Sequence, residues 1–263
     1  MTQLVRPDLA HNRSGRAHLR LGLAPATTKA LSADRSRNPR ADRAVPGWAV
    51  ATALLAPVVL VGGWLIAGAL QPVTYSPMSQ TMSVLAGYSG TDRWIMTAAL
   101  LLVGSCQIAT GAGLTAVRAP ARILLILTGL STLGIAATPE PAAGPNARHL
   151  AFAVSCVVTT AVWPVLIARR AQAQSWILGV SGCATATVLF IGLSCWLLIA
   201  ARAGSADLGM VERLTSAAQG LFPLVVALAL RQTERLAGDP ETMRTREFQE
   251  LASPDADRAT DGP

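Results

Sequence analysis

The sequence predicts an all-α fold: a polytopic membrane bundle of six transmembrane helices, with a short interfacial helix in the first outer loop. Three observations carry this. The 263 residues are 51% hydrophobic but only 14% charged, with a mean hydropathy of +0.42, which is too apolar for one or two ordinary soluble domains. The apolar residues gather into six runs, and the basic residues gather on alternate connections between those runs. A soluble fold of this size cannot bury six such runs in succession, because too little polar surface would remain to cover them.

Residues 1–45 hold Arg, Ser, Asn, Pro and Ala with little periodicity, so they read as a disordered basic tail. From Val45 to Thr91 there is no charged residue, and Ala49 to Leu70 is an almost unbroken apolar run. A helix rising about 1.5 Å per residue needs about 20 such residues to cross the hydrocarbon layer. The first span starts too far along the chain, and runs too long, for a cleaved signal peptide, so it is expected to stay in the mature protein. Ile95 to Val117, Ile123 to Ala137, His149 to Ala168, Trp176 to Ala201 and Leu214 to Leu230 supply the other five. The third is short alone. Ala119 to Ala121 and Thr138 extend it, with Arg122 snorkelling to the interface.

Within the spans, Pro57, Pro164 and Pro223 should kink the first, fourth and sixth helices. Small residues recur every four positions at Ser105, Ala109 and Gly113, at Thr128, Thr132 and Ala136, and at Gly179, Cys183 and Thr187, giving three helices a flat face for packing. Residues 46–230 thus form the transmembrane domain. Residues 231–263 continue the last helix briefly and then read as a mostly disordered tail after Asp239-Pro240.

The longest outer connection, Gln71 to Thr91, carries helix signals of its own. Ser76 suits a cap, Pro77 the first helical position and Gly87 the end. Met78, Met82 and Leu85 then share one face while Ser79, Ser83 and Ala86 share another, as an interfacial helix over the mouth of the bundle requires.

The formal charge of +7 is unevenly divided. One side collects nine basic residues of the N-terminal tail, Arg118 and Arg122, Arg169 and Arg170, and five of the C-terminal tail; these are 18 of the 22. The other side has only Arg93, Arg148, Arg202 and Arg213. The positive-inside rule makes both termini cytoplasmic, in the plasma membrane. Nucleic acid is excluded as a partner, since the basic tail lacks a folded reader and interleaved aromatics. Membrane lipids are the expected partners, and a homo-oligomer or an unidentified membrane partner stays open.

Cys106, Cys156, Cys183 and Cys195 all fall inside apolar runs without a C-x-x-C pair, so they read as packing residues rather than disulfides or metal ligands. No Asp, Glu, Lys or Arg lies near the middle of a span, where ion-coupled carriers place them. Gln107 and Gln219 are the strongest intramembrane polar groups, and they suit interhelical hydrogen bonds or a ligand.

At the outer face the even-numbered spans each begin with a polar group near an arginine: Asp92-Arg93, Asn146-Ala147-Arg148 and Glu212-Arg213. An acceptor there suits the free amides of a helix start, whereas arginine beside the positive dipole end wants a negative partner. Glu140, Asp207, Asp92 and Glu212 are available. The pattern gives either a ring of ion pairs or a receptor for a phosphate or carboxylate headgroup, which guanidinium grips bidentately. His149 is the one histidine outside the N-terminal tail, which excludes bis-histidine haem and a multi-histidine zinc site. A Ser/His/acid set can be drawn from Ser79 or Ser83, His149, and Glu140 or Asp207.

These outer-face stretches also carry a resemblance. Tyr75-Ser76-Pro77-Met78-Ser79-Gln80-Thr81-Met82-Ser83-Val84-Leu85-Ala86-Gly87, then Thr138-Pro139-Glu140-Pro141 with Arg148-His149, then Val211-Glu212-Arg213-Leu214 stand in order between the expected helices. From Pro46 to Leu230 the chain resembles the domain of unknown function 998 family of bacterial integral membrane proteins. It departs from that pattern at Val84 and Ala86, where an acidic residue and a glycine are usual. The resemblance implies a multi-helix membrane protein and brings no substrate or cofactor to carry over; none is expected from the residues.

The expected role is a non-enzymatic membrane component that binds or senses a lipid or small amphiphile through Arg93, Glu140, Arg148, His149, Glu212, Arg213, Ser79 and Ser83. A membrane-embedded hydrolase using His149 is the alternative, and it requires a serine or a metal within reach of that ring. A small-molecule transporter is a third, requiring a polar cavity that reaches Gln107 and Gln219.

Overall fold

The structure, a computed structural model, describes residues 45–142, 146–168 and 175–238. The disorder expected before Val45 and after Gly238 falls outside these residues. Among the described residues seven α-helices follow one another: α1 Gly47–Ala69, α2 Met82–Ala86, α3 Trp94–Gly113, α4 Ala119–Ala137, α5 Ala147–Ile167, α6 Val180–Ala203 and α7 Leu208–Gly238. All but α2 are long and apolar enough to cross a membrane. A 3-10 turn, Trp176–Leu178, leads into α6.

The six long helices form a closed ring, each packing on the next in the order α1, α3, α4, α5, α6, α7 and back to α1. At one end the backbone N–H of Val45 donates to the Glu234 carboxylate at 3.1 Å, so the ends of the described chain meet there. We call this the proximal end. Around Ala49, Leu114, Leu125, Trp163, Leu178 and Leu230 an apolar core fills it. Phe222 ties the same region together by edge-to-face contacts with Trp163 and Phe190. A second core around Leu60, Trp64, Met82, Leu85, Met96 and Leu100 lies at the distal end, where α2 folds over the ring.

Small residues set how closely the helices approach. Thr128, Thr132 and Ala136 are buried as their spacing predicts. On α3, however, it is Gly104 and Gly111 that face α4, while Ser105 is exposed and donates back to the Leu101 carbonyl at 2.8 Å. A Cβ at Gly129 would lie 2.6 Å from the Gly104 carbonyl oxygen, so the two backbones touch at this pair. Beside it a polar ladder links α3, α4 and α5: Thr128 to Thr159 at 2.8 Å, Ser131 to Ser155 at 2.9 Å, and Thr132 donating to Gln107 at 2.9 Å. In hydrocarbon such groups have no water to turn to, which favours pairing between helices.

Four boundaries differ from those the sequence predicts; the fifth span, expected from Trp176, becomes α-helical only at Val180. The second span ends at Gly113 rather than Val117. The last begins at Leu208 rather than Leu214, so Glu212 and Arg213 lie inside α7 instead of ahead of it. Both side chains find partners in the connection folded over them, which removes the cost of placing them in the helix. The interfacial helix starts at Met82, not Pro77. Ser76 to Gln80 forms a separate turn, closed by the Gln80 N–H donating to the Ser76 carbonyl at 2.8 Å. The carbonyls of Pro77 and Gln80 turn to Arg213, so they are not free to propagate a helix. Gly87 does end α2, and Met82 and Leu85 are buried beneath it, while Met78 is exposed.

Candidate functional site

The distal end is built from the three stretches that the sequence keeps far apart. Gln71 first closes the long connection upon itself: its amide accepts from the Thr91 N–H at 2.9 Å and donates to the Thr91 and Ala67 carbonyls. Arg213 then fixes the connection to α7. One of its terminal nitrogens donates to the carbonyls of Pro77 at 2.7 Å, Gln80 at 3.0 Å and Gly209 at 2.8 Å, and the other to the Tyr75 hydroxyl. Glu212, next in the chain, accepts the backbone N–H of Met82 at the start of α2. The N–H of Met210 donates to the Met78 carbonyl at 3.0 Å. Burial pushes the Tyr75 phenol above its usual pKa, although Arg213 pulls the other way.

The second cluster centres on His149, buried at 4% exposure. Asn146 caps α5, accepting from the N–H groups of Arg148 at 3.1 Å and His149 at 3.4 Å, and its own amide donates to the Pro139 carbonyl at 3.1 Å. That fixes Thr138-Pro139-Glu140 beside the ring. His149 Nδ1 is 2.8 Å from the Thr138 carbonyl oxygen, and Nε2 is 2.9 Å from Ser83 Oγ. A carbonyl can only accept, so Nδ1 carries the proton; in the neutral ring Nε2 is then the bare acceptor and Ser83 donates to it. Glu140 Oε1 lies 3.7 Å from the same Nε2. The N–H of Tyr88 donates to the Glu140 carbonyl at 2.9 Å, which brings the end of the long connection to this cluster too.

The expected site residues therefore separate into groups. Ser83, His149 and Glu140 come together, as do Glu212 and Arg213 with the connection. The three arginines do not converge on a common partner. Arg93 sits 4.7 Å above the Tyr88 ring, and the exposed Arg148 side chain has no partner among the described residues. Arg213 is saturated by carbonyls. No arginine pairs with a carboxylate among the described residues, so the expected ring of ion pairs is not formed there. Asp92, in place of capping, takes a left-handed φ of 47° just before α3. Ser79 and Asp207 join neither cluster. Tyr75 and the Thr138 carbonyl are the members that sequence reasoning missed. A tyrosine heading a polar turn was the only available signal for the first, and a backbone carbonyl gives none.

Beneath these clusters lies a cavity of about 500 Å³. Met82, Ser83 and Glu212 line its distal end, and Gln107 and Gln219 line its depth. Gln219 also donates to Ser194 at 3.0 Å and Gln107 accepts from Thr132, so both amides serve interhelical bonds from the cavity wall. Most of the rest of the lining is aliphatic. On α5 and α6 the lining residues Val154, Val158, Ile191 and Leu198 are each about half exposed, so the cavity opens on the side of the bundle between these helices.

Fold and site define a class: a multi-pass helical membrane protein with six spans, a clamped distal loop and an internal apolar cavity. The chain belongs to a family described as protein of unknown function (DUF998), whose model matches residues 54–229, from within α1 to within α7, and includes every residue of the two clusters. No curated protein and no solved structure matches it.

Proposed function

We propose that the protein binds a membrane amphiphile, with its apolar tail in the cavity and its polar head beneath α2 at Ser83 and Glu212. The cavity itself carries this reading. At about 500 Å³ it falls within the range of about 300–1,000 Å³ typical of small-molecule sites. It is lined mainly by aliphatic side chains and it is open where α5 and α6 part. A site with an opening on the lipid side takes its ligand from the bilayer rather than from water. The polar groups at one end match the head of a lipid or small amphiphile, and the depth matches its tail. The uneven charge supports an orientation in the plasma membrane with both termini cytoplasmic and the distal end outside.

Native mass spectrometry after gentle detergent extraction tests this. The full chain is expected to retain a stoichiometric amphiphile. Ala153→Phe, which places a ring in the cavity lining, is expected to lose most of it while keeping the thermal midpoint within a few degrees. A wild-type spectrum without bound amphiphile overturns the reading.

A further inference from the structure

We propose that Ser83 and His149 form a hydrolytic dyad that cleaves an acyl ester of the amphiphile in the cavity, a reading that rests on the binding proposed above. Three features place the chemistry. The Thr138 carbonyl holds the proton on Nδ1, leaving the Nε2 lone pair directed at Ser83 Oγ, 2.9 Å away. This is the tautomer a general base needs. Ser83 lies on the cavity wall, so the residue that touches the base also borders the space an ester would occupy. The ring is buried, so the Ser83–Nε2 contact is shielded from bulk solvent. Glu140 lies on the Nε2 side, whereas a triad carboxylate would face Nδ1. The group that orients the base is therefore the Thr138 carbonyl, and the pair is a dyad.

The step balances without metal or redox partner. Ser83 Oγ forms a bond to the ester carbonyl carbon as its proton passes to Nε2. Collapse of the tetrahedral adduct breaks the carbon–alkoxy bond, and Nε2 returns the proton to the leaving alcohol. Water then attacks the acyl-serine, Nε2 again relays the proton, and a carboxylic acid leaves with Ser83 restored. The substrate class is an ester with a long apolar chain, because the Oγ that attacks stands at the distal end of an aliphatic cavity.

An alkyl fluorophosphonate tests this on the full chain in lipid–detergent micelles. The probe's phosphorus bonds to Oγ as fluoride leaves. Intact mass and peptide mapping of wild type are expected to show one adduct, on Ser83, without reference to any variant. Ser83→Ala should abolish it, and His149→Asn should slow it by about 100-fold or more. Ser79→Ala, altering a hydroxyl that joins neither cluster, should label like wild type. No adduct on wild type, or one at another residue, overturns the dyad. Amphiphile retention measured on the same preparation keeps the two readings apart: retained amphiphile with Ser83 unmodified overturns hydrolysis alone, while an empty cavity overturns the binding on which the ester assignment rests.

Discussion

Arg213 shows how much one side chain can organise at this end of the molecule. Its planar fork donates to the Pro77 and Gln80 carbonyls of the connection, to the Gly209 carbonyl of α7 and to the Tyr75 hydroxyl. Hydrogen bonds to a charged donor contribute about 1.5–3 kcal/mol each before competing costs. Arg213→Ala is therefore expected to destabilise the fold by about 2–4 kcal/mol, seen as a lower thermal midpoint and faster hydrogen exchange confined to residues 75–82. Lysine should restore only part of this, because a compact ammonium does not span the same acceptors. Equal exchange in wild type and Arg213→Ala would show that the connection holds without the clamp. The sequence marked Arg213 as a polar group awaiting an anion. What it meets are carbonyl oxygens, and no spacing rule reveals which backbone atoms a distant turn will present. His149 is similar: its position at a helix start was legible beside Asn146, but its partners come from residues 66 and 11 positions away.

At the scale of elements, apolar length fixed the spans well and their ends poorly. Runs of this length leave little alternative to helices in hydrocarbon, since every backbone group must find its partner within the segment. Where a helix stops depends on what else satisfies its last groups, and that is why α7 begins at Leu208 and α2 only at Met82. Packing faces were half legible. The threonine face of α4 was found from its period, but the contact on α3 runs through Gly104, one position from the expected Ser105 stripe. The α3–α4 crossing gives a sharp test. Gly129→Val forces two touching backbones apart and is expected to cost about 1–3 kcal/mol, the range for overpacking. Gly62→Ala, where an added Cβ meets nothing within 4 Å, should leave the thermal midpoint unchanged. Equal midpoints for wild type and Gly129→Val would refute the close approach as a determinant of stability.

Across the whole molecule, the orientation proposed from charge is checked with cysteine labelling in intact cells. Ser89 and Thr115 are both exposed, on connections at opposite ends of the ring. Ser89→Cys is expected to react with an impermeant maleimide from outside, whereas Thr115→Cys should react only after permeabilisation; the reverse pattern would invert the protein. The number of spans, the all-helical class and the asymmetry of charge were determined by the sequence alone. Each is a sum along the chain, of apolar length or of loop charge, and needs no knowledge of which residues meet. Two things were decided only by the tertiary structure. The ring closes around a cavity that opens between α5 and α6, and a serine from the first connection meets a histidine from the start of α5 above it. Both depend on the packing angles of six helices and on where carbonyl groups point, which are products of mutual fit and not of local composition.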